Sequence, residues 1–201
     1  MMIVRRTTAR GINKLIDLRR SPEYIDSVNK IVEIEFAKIK NKLISDFKRH
    51  PVTREIEAGV NGNNISKTLG GYGNLFTYIG FESSSKPIKP ILRELNDIRL
   101  TKIIFSKNGN FNVLAIYPSI RQIFDITPLP WAEGRSWAEG IEKGISGLGS
   151  YLNKSNEKSR SGKGLQTEGE IRKSGFSPTP YISSMIKSFE LNVIQLNRIK
   201  I

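Results

Sequence analysis

Residues 21–51 read SPEYIDSVNKIVEIEFAKIKNKLISDFKRHP. Ser21, Pro22 and Glu23 supply an N-cap, a proline at the first helical position and an acid near the positive end of the helix dipole. Val28, Val32, Phe36, Ile39, Leu43 and Phe47 then recur at spacings of three and four, with Ile25, Ile31 and Ile34 widening the stripe near its start. The pattern predicts one helix to about Arg49, roughly 40 Å long at 1.5 Å per residue. His50-Pro51 ends it, because the residue before a proline is biased away from helical angles. A helix of that length exceeds what a small domain covers alone, so part of it is expected to pack against another subunit.

Downstream, Val52 to Asn74 is rich in Gly and Asn, with Asn61-Gly62-Asn63-Asn64 and Gly70-Gly71-Tyr72-Gly73, and is expected to be a long loop. Leu75 to Phe81 carries strand-forming residues throughout, and Pro87 to Ile98 suggests a short helix on Ile88, Ile91, Leu92 and Leu95. Thr101–Phe105 and Phe111–Tyr117 flank Lys107-Asn108-Gly109-Asn110. Asn-Gly between alternating apolar runs is a strong hairpin signal. Ile120–Ile126 is read as a further strand. In Pro128-Leu129-Pro130-Trp131 and the following residues, Trp-Ala-Glu-Gly occurs twice, too few copies for a repeat architecture. From Ser136, Trp137, Ile141, Ile145 and Leu148 share one helical face, although Gly140, Gly144 and Gly147 each cost such a helix roughly 1 kcal/mol against alanine.

These elements give an α+β fold in which a small antiparallel sheet packs against the long helix and the helix beginning at Trp137. Residues 1–20 form a basic N-terminal arm and 21–152 the core domain with its long loop at 52–74. Residues 153–177 are a polar segment rich in Lys, Ser and Gly, and 178–201 an apolar C-terminal segment that needs cover from its own core or from a neighbour.

Lys and Arg number 32 against 19 Asp and Glu, a net charge of +13 over 201 residues. That excess attracts polyanions without any specific site. The absence of cysteine excludes disulfides and thiolate chemistry, and a single histidine, His50, excludes a histidine-rich metal site. No apolar run approaches the roughly 20 residues of a membrane span. The opening Met-Met-Ile-Val-Arg-Arg lacks the order of a signal peptide, so the chain is expected to stay in the compartment where it is made.

Catalytic motifs find little support. Ser161-Gly162-Lys163-Gly164 lacks the upstream glycine and the hydroxyl residue of a phosphate-binding loop. Gly71-Tyr72-Gly73-Asn74-Leu75-Phe76 places Phe76 where a dinucleotide fingerprint has its third glycine. The acid pairs Glu33/Glu35, Glu55/Glu57, Glu133/Glu139 and Glu168/Glu170 have no distinguishing spacing and read as solvent-facing partners of lysine. His50 reads as a cation favoured at a helix C-terminus. Phe76, Tyr78 and Phe81 offer rings for stacking on bases, yet core packing is the favoured role for them. No cofactor or metal is expected.

The order of parts is a long helix, a glycine-rich loop, a strand, a short Pro-flanked helix, a hairpin and a further helix. Together with His50-Pro51-Val52-Thr53-Arg54-Glu55, Asn64 to Phe76 and Pro128-Leu129-Pro130-Trp131, it resembles the neck and tail-completion proteins, or minor tail components, of tailed double-stranded-DNA bacteriophages. The resemblance spans roughly residues 22–152. It implies a non-enzymatic virion protein, synthesised in the host cytoplasm, that oligomerises, often as a hexameric ring. Its partners would be the connector and the tail tube or tail terminator. On this reading the contact residues are Arg5, Arg6, Arg10, Arg19 and Arg20 in the arm and Gly70, Gly71 and Tyr72 in the loop. Trp131 and Trp137 anchor either the core, the favoured role, or an interface. The alternative from another class is a basic nucleic-acid-binding protein, ribosome-associated or genome-packaging, with DNA as a contact of the basic charge.

Overall fold

In the computed structural model the described residues are 21–69, 73–106, 110–130, 132–143 and 179–197. Helix α1 spans Pro22–Arg49, and its N-cap is as the sequence predicts, with Ser21 Oγ accepting the Tyr24 N–H at 3.2 Å. Val28, Val32, Phe36, Leu43 and Phe47 are its buried row.

The chain does not leave helical structure for long at Pro51. Helix α2, Pro51–Glu57, starts there, followed by a 3₁₀ turn at Gly59–Asn61, where the sequence suggested a loop from Val52 onward. Pro51 ends one helix and pre-sets the first residue of the next, and Val52 and Ile56 form a second short apolar face. Gly- and Asn-rich irregular backbone begins only beyond it.

Leu75–Ile79, expected as a strand, is helix α3. Asn74 Oδ1 accepts the Thr77 N–H at 2.9 Å, and Gly80 closes the helix at φ 84° in the left-handed region that glycine adopts without steric cost. These two caps outweigh the strand preference of the residues between them. Helix α4, Ile88–Asn96, lies where a short helix was expected. Its last turn is closed by Lys40 of α1, whose Nζ donates to the carbonyls of Asn96 (2.6 Å) and Ile98 (2.7 Å).

Strands β1 (Arg99–Phe105) and β2 (Phe111–Ile116) form the predicted antiparallel hairpin. Ile120–Asp125 is helix α5, correcting the strand expected there. Ser119 and Gln122 make a reciprocal capping box: the Gln122 N–H donates to Ser119 Oγ (3.2 Å) and the Ser119 N–H to Gln122 Oε1 (2.7 Å). A second, small antiparallel pair not foreseen from sequence joins β3 (Pro128–Leu129) to β4 (Ala132–Ser136). Helix α6, Trp137–Lys143, follows as predicted. The final helix, α7, spans Ile182–Leu196.

The chain is therefore α+β, with one correction to its packing. The helix laid on β2 beside α1 is α7, whereas α6 packs with α5 and β4. Helix α7 runs antiparallel to α1, so that Phe189 meets Phe36 edge-on at 6.1 Å and Tyr181 lies 5.9 Å from Phe47. Its buried residues Ile182, Ile186, Phe189, Val193 and Leu196 are part of the same core as Val28, Ile91 and Ile123. One face of the apolar C-terminal segment, within the described residues 179–197, thus finds its cover in the chain, while Leu191 and Ile194 stay about half exposed. It also covers the α1 row, which the sequence reading had assigned in part to another subunit.

Candidate interaction surface

Of the residues singled out for contacts, Arg5, Arg6, Arg10, Arg19, Arg20, Gly70, Gly71, Tyr72 and Trp131 lie outside the described residues. Trp137 is described and is 1% exposed, with Phe81 at 5.9 Å in an edge-on contact and Tyr181 at 6.4 Å. It is a core residue in this structure.

The feet of the segment that carries Gly70–Tyr72 are fixed by one carboxylate. Glu55 of α2 is fully buried; Oε2 accepts the Ser66 N–H at 2.8 Å and Oε1 the Leu75 N–H at 2.7 Å. Asn74 adds Nδ2 donation to the carbonyls of Val60 (3.3 Å) and Gly62 (2.9 Å). Gly62 sits in a tight place: a Cβ there would lie 3.0 Å from both Ala58 Cβ and the Glu55 carbonyl, so that a larger residue would push one of them aside by a few tenths of an ångström. Glu55, one of the paired acids considered from sequence, is therefore occupied by backbone donors, which satisfies a charge that burial alone would make costly. Two other acids from those pairs bind lysines at the surface, Glu35 to Lys38 and Glu139 to Lys143, each at 2.6 Å.

His50 has a different role from the one the sequence suggested. It ends α1 and also caps α2, with Nδ1 accepting the Val52 N–H at 3.3 Å and the ring 5.0 Å from Tyr181. Partial burial lowers its pKa below the ordinary 6.5, offset in part by a hydrogen bond to the Pro180 backbone. A neutral ring that accepts at a helix N-terminus replaces the imidazolium expected at a C-terminus. Tyr181 is fully buried and shares a 2.8 Å hydrogen bond with Thr53. Burial holds its hydroxyl protonated far above the ordinary tyrosine range.

No group of three or more His, Asp or Glu able to hold a metal ion occurs among the described residues, and no described helix is long and apolar enough to cross a membrane. What the described surface does present is large aliphatic side chains on rigid elements. On the hairpin, Phe111 and Val113 face the core, while Ile104, Leu114 and Ile116 are 42%, 47% and 50% exposed on the opposite face. The register sets Arg99 opposite Ile116, Lys102 opposite Leu114 and Ile104 opposite Asn112, so that the outward face mixes two cations with three aliphatics. Helix α7 exposes Leu191 and Ile194, one turn apart, and α1 exposes Ile34.

The free edge of β2 is partly closed, since the Val113 N–H donates to Asn197 Oδ1 at 2.7 Å just beyond α7. Occupying a strand edge in this way limits edge-to-edge pairing along β2. Compared with models of protein families, with curated proteins and with solved structures, the chain matches none.

Proposed function

We propose that this chain is a non-enzymatic structural protein that acts by contact, at the head–tail junction or tail of a tailed double-stranded-DNA phage. There it would stand in a ring of copies against connector and tail proteins. The observation that carries the contact reading is the hairpin face of Ile104, Leu114 and Ile116, displayed on a sheet whose other side is anchored in the core. Exposed aliphatics grouped on a rigid element mark interaction surfaces more than isolated ones do. The placement in a phage neck or tail rests on the sequence resemblance at His50–Glu55, Asn64–Phe76 and Pro128–Trp131; the order of elements departs from the expected one at Leu75–Ile79, which is a helix where a strand was expected.

Nucleic-acid binding remains the second reading, favoured by the net charge of +13. The two differ in what they demand of purified protein. Light scattering and fluorescence titration with duplex DNA over a salt series separate them. The assembly reading expects weak binding to DNA, with affinity unrelated to the hairpin aliphatics. Tight binding by a monomer, with a steep fall of affinity in salt, would contradict it.

A further inference from the structure

We propose that the outward face of the β1–β2 hairpin is a docking strip for a short acidic amphipathic segment of another protein. The proposal rests on the contact reading above and names the chemistry of the partner met at that surface. Ile104, Leu114 and Ile116 leave apolar area in water, and Arg99 and Lys102 stand among them across the register. The ion pairs among the described residues join Lys38 to Glu35, Lys42 and Arg49 to Asp46, Arg121 to Asp125 and Lys143 to Glu139; Arg99 and Lys102 enter none. An occupant that covers the aliphatics and also meets both cations must carry carboxylates beside apolar side chains.

Charge complementarity selects this occupant over two others. A second copy docking through the same face would bring the Arg99 and Lys102 cations of both chains together with no acid on the strip to offset them. Nucleic acid would meet the cations but leave the aliphatics uncovered. The strip also lacks a ring for base stacking, because Phe105 and Phe111 pair with each other on the core side. Seven residues of strand make a strip about 20 Å long and two strands wide, smaller than the roughly 800 Å² per partner of a standard interface. A peptide-sized element, one helix face or one strand, is the size that fits.

The test is fluorescence anisotropy with the full chain and three labelled probes. These are a short peptide with leucine at helical spacing and glutamate elsewhere, the same peptide with glutamine for glutamate, and a single-stranded DNA oligonucleotide. The Leu/Glu peptide is expected to bind saturably and the glutamine version about tenfold more weakly. Lys102→Glu and Leu114→Thr should each weaken the Leu/Glu peptide about tenfold, Lys102→Gln should weaken it less in the same direction, and Ile34→Thr should leave it unchanged. Threonine keeps strand propensity, and circular dichroism of each variant verifies the fold. Absence of peptide binding, equal binding by folded variants, tighter binding of the oligonucleotide, or self-association that Leu114→Thr abolishes would each overturn the assignment. The two readings fail separately. If the Leu114→Thr chain still enters particles as the parent does, the strip is wrong and the assembly reading stands. If the chain enters no particle yet the peptide binds at Leu114, the phage reading is wrong and the strip stands.

Discussion

Thr53 Oγ1 and the Tyr181 hydroxyl share a buried hydrogen bond of 2.8 Å across 128 positions of sequence. It ties the start of α7 to the second helix of the chain, inside a cluster that includes Phe47, His50 and Trp137. Tyr181→Phe leaves the Thr53 hydroxyl without its partner in a buried site, and a loss of about 1–2 kcal/mol is expected from urea denaturation. The double variant with Thr53→Val, which removes both polar groups, should recover part of that loss. An additive double variant would show that the bond contributes nothing.

Phe189 tests whether α7 belongs to the core. It is 2% exposed and meets Phe36 edge-on at 6.1 Å and Tyr117 at 5.5 Å. Phe189→Ala should lower stability by about 3–5 kcal/mol through lost burial and the cavity left behind. A change below about 1 kcal/mol would mean that the C-terminal helix is not part of the folded core.

Glu55 holds both feet of the loop through two backbone N–H groups. Glu55→Ala strands both donors, at about 1–3 kcal/mol each where they are buried. Limited trypsin digestion should then cut earlier at Lys67, while α1 and the hairpin stay protected. Unchanged cleavage at Lys67 would remove Glu55 from the role of loop anchor.

His50 sets a pH dependence. Burial depresses its pKa in the folded state, so the unfolded chain binds the proton more readily. Its contribution to stability is complete above pH 6.5, the ordinary value, and declines as pH falls below it through the depressed folded value. Protonation of Nδ1 also ends its role as acceptor for Val52. The expected result is a lower urea midpoint at pH 5.5 than at pH 7.5. The difference should shrink in His50→Asn, which can still cap α2 but does not titrate. An equal pH difference in both proteins would assign the effect to other groups.

The elements that sequence reading located are those with unambiguous ends or turns. Ser21-Pro22-Glu23 opens α1, and Asn108-Gly109 separates the strands that became β1 and β2. The elements it misassigned are short, and their caps were present in the sequence. Asn74 and Gly80 bracket α3, and Ser119 with Gln122 has the spacing of a capping box before α5. Aromatic and β-branched residues between such caps suggest strands by type, and a segment buried on most sides has no period to arbitrate.

The candidate surface was harder to read. Both faces of β2 are apolar, Phe111 and Val113 on one and Leu114 and Ile116 on the other. Alternation therefore could not say which face is buried. That is decided by α1 and α7 packing on the hairpin, and α7 comes from the opposite end of the chain.

The assembly reading is tested most directly by locating the chain in particles made by its native source. Density-gradient fractions of purified tailed particles, probed by quantitative mass spectrometry and by antibody labelling in electron microscopy, give its copy number and position. The account predicts a fixed, ring-compatible copy number per particle with label at the neck or tail. Recovery of the chain only in particle-free fractions, bound to nucleic acid or ribosomes, would contradict it.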